Sequence, residues 1–346
     1  MAFYPLFRPL VFRLDGERAH RLTLAGLKML PVGAPPAPDP MLAIRVAGLD
    51  FPNPIGLAAG FDKDGEVPHT MLGLGFGFAE LGTLTPLPQA GNPKPRLFRL
   101  AEDEAVINRM GFNNGGQTAA RARLERQQHR LGIIGVNLGA NKDSADRIED
   151  YARGVRDMMG VASYLTINIS SPNTPGLRAL QDAGALAALL DAVMAARGAG
   201  VPPVFLKVAP DLQPADVDDI ARIAADKRID ALIVSNTTIG RPALKSGFAG
   251  ENGGLSGAPL RDLAQQRLAD FRSATGGTMP LIGAGGIASA EHAYARIRAG
   301  ASLVQLYSAL VYEGPGLARR IASGLRGLLA RDGFGNVADA VGADAG

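Results

Sequence analysis

At 346 residues and 47% hydrophobic content, the chain can bury a substantial core, as two average domains or as one large barrel. It has no cysteine, which excludes disulfides and thiolate metal ligands, and its four histidines (His20, His69, His129, His292) stand in no metal-ligand spacing. The net charge of +3 equals the excess within residues 1–30, where Arg8, Arg13, Arg18, Arg21 and Lys28 stand against Asp15 and Glu17; no basic-aromatic stripe for nucleic acid follows.

Two amphipathic stretches, 3–13 and 17–30, open the chain, and their basic, apolar character suits an anionic membrane surface. No apolar run approaches the ~20 residues of a bilayer span, and no signal-peptide pattern is present, so the protein is expected to be neither secreted nor transmembrane. The proline-dense linker 31–40 stops any helix, and segments 42–46 and 49–51 predict a small hairpin.

Short apolar runs then recur at 54–60, 76–82, 132–138, 164–170, 203–209, 231–237, 280–286 and 303–308. Stretches of helical period lie between most of them: 65–74, 114–130, 147–159, 179–196, 215–225, 260–274 and 290–299. Alternating helices and near-continuously apolar strands predict a parallel sheet covered by helices, and eight units close most naturally into a (β/α)8 TIM barrel. The rival, a doubly wound open sheet, normally carries Gly-x-Gly-x-x-Gly after its first strand; Gly56-Leu-Ala-Ala-Gly60 does not match. The tail after Gly333 is expected to be partly disordered.

A barrel of this kind places its chemistry at the carboxyl ends of the strands. The exits here read Ala59-Gly60-Phe61-Asp62-Lys63, Gly82-Thr83, Asn137-Leu-Gly139, Asn168 with Ser171 and Asn173, Lys207, Ser235-Asn236-Thr237, Gly285-Gly286 and Tyr307-Ser308. Taken singly, each has a plainer reading as a turn former or an ion-pair partner. The glycines at 283–286 are more specific, because late barrel strands bind phosphate through bare backbone N–H groups, and Gly253-Gly254-Leu-Ser-Gly257 could close over the same group. Pro172 restricts Ser171 to extended backbone and so aims its hydroxyl. Lys207 is expected in the barrel mouth, where its charge could stabilise an anionic flavin or simply neutralise an aspartate. The loop Asn108-Arg109-Met110-Gly111-Phe112-Asn113-Asn114 offers amides suited to a planar ligand with carbonyl and N–H groups; an Asx-turn is the alternative.

Together, AAGFDK (58–63), NRMGFNN (108–114), GVNLGANK (135–142), NISSPNTPGLR (168–178), KVAPDL (207–212), NTT (236–238), GGLSG (253–257) and GAGGI (283–287) resemble the quinone-dependent (class 2) dihydroorotate dehydrogenases over nearly the whole chain. The resemblance implies FMN at the mouth of a barrel spanning 41–346, oxidation of dihydroorotate to orotate in pyrimidine synthesis, and Ser171 as the base, where soluble relatives use cysteine. It assigns Lys63, Asn108, Asn173, Asn236 and Thr237 to the substrate, with Arg109, Met110, Gly111 and Phe112 in the same loop, and Asn168 to both substrate and flavin. It assigns Ala59, Gly60, Phe61, Asp62, Lys63, Thr83, Asn137, Lys207 and Ser235 to the flavin, and Gly257, Gly285, Gly286, Tyr307 and Ser308 to its phosphate.

Residues 1–40 would form the membrane and quinone entrance, with Phe3, Leu6, Phe7, Leu10, Leu22 and Leu27 facing lipid or a tunnel and His20 and Arg99 bonding the quinone; a helix-surface histidine is the plainer reading of His20. The resemblance further implies a monomer peripheral to the cytoplasmic face of the cell membrane. The rivals are a soluble relative using fumarate or a nicotinamide, which should lack 1–40 and carry cysteine at 171, and a non-redox phosphate-binding barrel, which would not need Lys63, Asn108, Asn168, Ser171 and Asn173 together.

Overall fold

The computed structural model describes residues 4–198 and 202–345. Phe3, expected to face lipid, lies outside them. Helices α1 (Tyr4–Phe12) and α2 (Gly16–Met29) come first. Asp15 starts α2, its carboxylate accepting the backbone N–H groups of Glu17 and Arg18 at 3.1 and 3.0 Å. After the linker, β1 (Ile44–Val46) and β2 (Leu49–Phe51) form the expected hairpin, closed by Ala47 and Gly48, both at positive φ.

Eight parallel strands close the barrel: β3 (Ile55–Leu57), β4 (Phe78–Leu84), β7 (Ile133–Leu138), β8 (Tyr164–Asn168), β9 (Val204–Val208), β10 (Ala231–Val234), β12 (Leu281–Ala284) and β13 (Ala301–Leu306). Each coincides with one of the eight apolar runs, and β13 pairs back onto β3. The covering helices are α3 (Pro68–Gly73), α4 (Gln117–Glu125), α5 (Arg147–Met158), α6 (Ala183–Arg197), α7 (Pro214–Asp226), α8 (Arg261–Ala274) and α9 (Ala290–Arg298), followed after the last strand by α10 (Ser308–Glu313) and α11 (Leu317–Arg331). All seven residues of β4 are buried, as expected for a strand covered on both faces.

Large rings fill the barrel: Tyr164 stacks on Phe205 at 4.5 Å, and Phe78 meets Tyr164 edge-on at 6.3 Å. Two glycines make room for them. A Cβ on Gly56 would lie 2.1 Å from the Phe78 ring, and one on Gly135 would lie 2.1 Å from that of Tyr164.

Three strands outside the barrel were not legible in the periodicity. β5 (Leu97–Leu100) and β6 (Ala105–Asn108) form a hairpin, and β11 (Gly254–Gly257) adds to β6. Phe98, Leu100, Ala105, Ile107 and Leu255 form a separate small core there, and α2 packs on β5. The tail corrects its expectation. Residues 337–340 form a 3-10 turn in which Val337 and Ala340 are fully buried, and Asn336 donates to the carbonyls of Pro40 and Ala43 at 2.8 and 3.1 Å.

Candidate active site

A cavity of about 630 Å³ lies at the carboxyl ends of the barrel strands and extends to α1 and α2. It gathers most of the residues expected there: Ala59, Gly60, Phe61 and Lys63 from the first exit; Thr83; Asn108, Met110, Gly111 and Phe112 from the loop after β6; Asn168, Ser171 and Asn173; Lys207; Ser235, Asn236 and Thr237; Gly257; Gly285 and Gly286; Tyr307 and Ser308. His20 and Arg99 line it as well. The side chains of three candidates are engaged elsewhere. Asp62 is buried and accepts the N–H groups of Glu66 and Val67, both at 2.8 Å, ahead of α3. Arg109 turns to Glu251 at 2.7 Å and lies over the Phe98 ring. Asn137 is fully buried beneath the cavity floor.

That floor is organised by a residue the exit motifs do not contain. Glu80, inside β4 and fully buried, accepts hydrogen bonds from Asn137 Nδ2 (2.7 Å), Tyr164 Oη (3.0 Å), Thr166 Oγ1 (3.2 Å) and Gln305 Nε2 (2.7 Å). Asn137 Oδ1 in turn accepts from Thr83 Oγ1 at 2.6 Å and Asn168 Nδ2 at 3.1 Å. Asn168 Oδ1 accepts from Ser170 Oγ at 2.8 Å, and Asn236 Nδ2 donates to Ser170 Oγ at 2.8 Å. One carboxylate therefore fixes the polarity of a chain of amides and hydroxyls that reaches the cavity wall. Lys207 is buried beside this system and donates to no acceptor among the described residues; burial pushes its ammonium pKa down, and the Glu80 charge opposes that shift.

Directly after Ser170, Ser171 Oγ accepts the backbone N–H of Asn173 at 3.3 Å, and Asn173 Nδ2 donates to Asn108 Oδ1 at 3.3 Å. Asn92 ties the two loops together, donating to the carbonyls of Arg109 and Asn173, each at 3.1 Å. Arg178 braces the loops behind them, reaching Ser170 O, Thr237 O and Asp211 at 3.0, 3.0 and 2.9 Å. Lys63 donates to Gly60 O at 2.7 Å, and burial is the main cause that brings its ammonium down to about 8.

Toward the N-terminal helices the lining becomes apolar, with Val11, Phe12, Leu27 and Leu30. Leu6, Phe7, Leu10 and Leu22 are exposed on the outside, whereas Leu27 is packed in the core. His20 meets the Phe61 ring edge-on at 5.3 Å, and its Nε2 is buried without a partner among the described residues. Burial, with the Lys63 charge, holds the His20 imidazole at about 3, so it is neutral at physiological pH. Arg99 donates to the carbonyls of Val11 and Phe12, both at 3.2 Å, and to that of Leu14. Glu17 joins α2 to the barrel side through Arg96, whose Nε and Nη2 reach its two carboxylate oxygens at 3.1 and 3.0 Å.

The family model described as dihydroorotate dehydrogenase matches residues 41–329, which is most of the chain. The chain belongs to the dihydroorotate dehydrogenase family. It is 64% identical over 349 residues to a dihydroorotate dehydrogenase (quinone) of Novosphingobium aromaticivorans, covering 99% of this chain and 100% of that one. It is 66% identical over 347 residues to the protein of the same name from Sphingopyxis alaskensis, covering 99% and 98%. Among solved structures, the dihydroorotate dehydrogenase of Eimeria tenella in complex with ferulenol superposes with a TM-score of 0.91 at 41% identity, covering 96% of each chain. The ligand-free form of the same enzyme superposes with a TM-score of 0.90.

The motifs did not contain Glu80 or Gln305, and Arg178 closes the motif NISSPNTPGLR without a role having been assigned to it. Glu80 had a sequence signal: it is the one acid in the apolar run Phe78-Ala-Glu-Leu-Gly-Thr-Leu84. Gln305 carried a similar signal as the one amide in Leu303-Val-Gln-Leu306, but its partner, 225 positions away, was not legible.

Proposed function

We propose that this chain oxidises dihydroorotate to orotate in pyrimidine synthesis, using FMN at the barrel mouth and a membrane quinone as the final acceptor. The observation that carries the reading is one continuous cavity, polar around Ser171 and Asn108 and apolar toward α1 and α2. The protein groups fit such a cofactor: Lys207 is buried with no acceptor among the described residues, and Gly257, Gly285 and Gly286 line the cavity at positive φ, where a Cβ would collide with the protein atoms behind them. FMN, when bound, supplies the acceptor for the hydride leaving the substrate ring and passes both electrons to the quinone.

Ser171 Oγ would take the proton from the ring carbon adjacent to the one that loses hydride while handing its own hydroxyl proton on to solvent in the cavity, so that the ring loses one proton and one hydride as its double bond forms. The Asn173 N–H bonded to Ser171 Oγ orients that hydroxyl. Asn108, Asn173, Asn236 and Thr237 hold the ring amides, and Lys63 meets the substrate carboxylate. Met110, Gly111 and Phe112 close the loop over them, with Arg109 anchoring that loop through Glu251. Thr83, Asn168 and Ser235, with Ala59, Gly60 and Phe61, face the flavin ring and ribityl chain. Asn137 supports Thr83 and Asn168 from below, and Asp62 fixes the backbone of the first exit. Gly257, Gly285, Gly286, Tyr307 and Ser308 surround the phosphate.

At the other end, residues 4–40 form the quinone entrance, and His20 offers its unpartnered Nε2 to a quinone carbonyl. Arg99 spends its donors on the α1–α2 turn and shapes the entrance beside it. The exposed Leu6, Phe7, Leu10 and Leu22, with nearby basic side chains, suit peripheral binding to an anionic membrane at its cytoplasmic face. No helix among the described residues is long and apolar enough to cross a membrane. A monomer suffices, since one chain supplies both ends of the cavity.

Anaerobic stopped-flow absorbance tests the whole cycle. Dihydroorotate should bleach a flavin band, and a pulse of short-chain ubiquinone should restore it. Absence of a flavin band would point to the non-redox phosphate-binding barrel. Bleaching without recovery by quinone would keep the substrate and reject the acceptor.

A further inference from the structure

Behind the Gly285–Gly286 turn stand two arginines that the reading above does not use. Arg296, on α9, is only 1% exposed. It donates only to neutral acceptors: Gln265 Oε1 at 2.6 Å, Arg261 O at 2.7 Å and Gly285 O at 2.8 Å. Arg261, the first residue of α8, donates through Nε to Gly286 O at 3.1 Å. No carboxylate among the described residues lies within 4 Å of either guanidinium. Burial is the main cause that brings Arg296 down to about 10; Arg261 lowers it further, and Asp262 opposes this only from a distance. Two mutually repelling cations, one of them fully buried, require an anion that the protein does not supply.

The backbone shows where that anion sits. A trans peptide points its carbonyl and its N–H in opposite directions. With the carbonyls of Gly285 and Gly286 tied back to Arg296 and Arg261, the N–H groups of Gly286 and Ile287 face away from the arginines, and neither donates to an acceptor among the described residues. Both residues line the cavity. The packing is tight enough to hold this arrangement, since a Cβ on Gly286 would lie 2.5 Å from Arg261 Cα.

We propose that Arg296, with Arg261 beside it, is the counter-charge of a bound phosphomonoester, acting through the Gly285 and Gly286 peptides without touching the phosphate. The inference rests on the flavin reading and identifies Arg296 as a positioning residue of its phosphate end. It makes the phosphate, and not the isoalloxazine ring, the group whose affinity depends on α9.

The test uses full-length protein purified with its flavin. FMN release on dilution is followed by flavin fluorescence, and riboflavin, which lacks the phosphate, is titrated as a competitor. Arg296→Met should weaken FMN by at least ~10-fold while changing riboflavin affinity by less than ~2-fold, and Arg296→Lys should recover most of the difference. Arg261→Gln, at a half-buried site, should reduce the preference for FMN in the same direction and remains informative if Arg296→Met does not fold. An unchanged FMN-to-riboflavin ratio in Arg261→Gln and in the folded Arg296 variants, or an equal loss for both flavins, would overturn the inference and leave the flavin reading standing. A wild-type protein that carries no flavin and takes up neither compound would overturn both.

Discussion

Glu80 accepts the side-chain N–H of Asn137 at 2.7 Å, and because a carboxylate only accepts, this bond decides which end of the Asn137 amide faces the cavity. Asn137 Oδ1 is thereby directed at Thr83 and Asn168, and through Asn168 and Ser170 the same polarity reaches Asn236. A charge at the bottom of the barrel thus sets the hydrogen-bonding pattern of its mouth.

Glu80→Gln should break this ordering. The new amide has one accepting oxygen and an NH2 group facing the donors of Asn137, Tyr164, Thr166 and Gln305, and it leaves Lys207 without its charge partner. A cost of ~1–3 kcal/mol for each donor left unsatisfied is expected, read as a lower midpoint in thermal unfolding together with an altered visible flavin spectrum. An unchanged midpoint and spectrum would show that the amide chain orients itself without the carboxylate.

Ser171→Ala should retain FMN, because among the described residues the hydroxyl bonds only the Asn173 N–H. Flavin reduction by dihydroorotate should slow by ~10²-fold or more, the contribution of a positioned base. Stopped-flow reduction at the wild-type rate would remove Ser171 from the mechanism.

Lys63 gives the reaction an alkaline limit. Its ammonium, lowered to about 8 mainly by burial, is charged below that pH and loses its proton above it, so attraction for the substrate carboxylate fades as pH rises. The value of kcat/KM for dihydroorotate, which reports the free enzyme, should fall with an apparent pKa near 8, and Lys63→Gln should abolish that limb while raising KM. A flat wild-type profile up to pH ~9.5 would contradict the assignment.

Glu17 predicts an acid weakness at the quinone end. Burial acts to raise its carboxyl, but Arg96 and Lys94 outweigh it and hold it at about 2, below the ordinary 4.5. A depressed carboxyl contributes stability that is complete above the ordinary value and is lost as pH falls through the lowered one, so docking of α2 should weaken between pH 4.5 and about 2. Glu17→Gln should flatten that dependence in pH-resolved unfolding and lower stability at pH 7 by ~3–5 kcal/mol, the cost of a buried guanidinium losing its partner. Removing residues 2–30 strips away the same carboxylate, so the truncated barrel should be destabilised as well as inactive with quinone. A truncation as stable as the full chain would show that Arg96 finds another partner.

By itself the sequence determined the barrel and the position of its chemistry. Eight apolar runs spaced by helical periods admit few other architectures, and polar residues directly after such runs must lie at the carboxyl ends of the strands, because strand direction is fixed by the chain. The hairpin at 44–51 and most of the cavity lining were legible for the same local reason. What only the tertiary structure decided depends on partners far apart in sequence. Glu80 meets Gln305, Glu17 meets Arg96, Tyr312 donates to the carbonyl of Ala105, and Asn336 clamps the tail to Pro40. The directions of Arg109 and Asn137, and the two arginines behind Gly285 and Gly286, belong to the same class, whereas Asp62 turns to the nearby N–H groups of Glu66 and Val67. Periodicity reports which face of an element is buried, whereas a hydrogen bond or an uncompensated charge exists only once barrel closure brings its partners within about 3 Å.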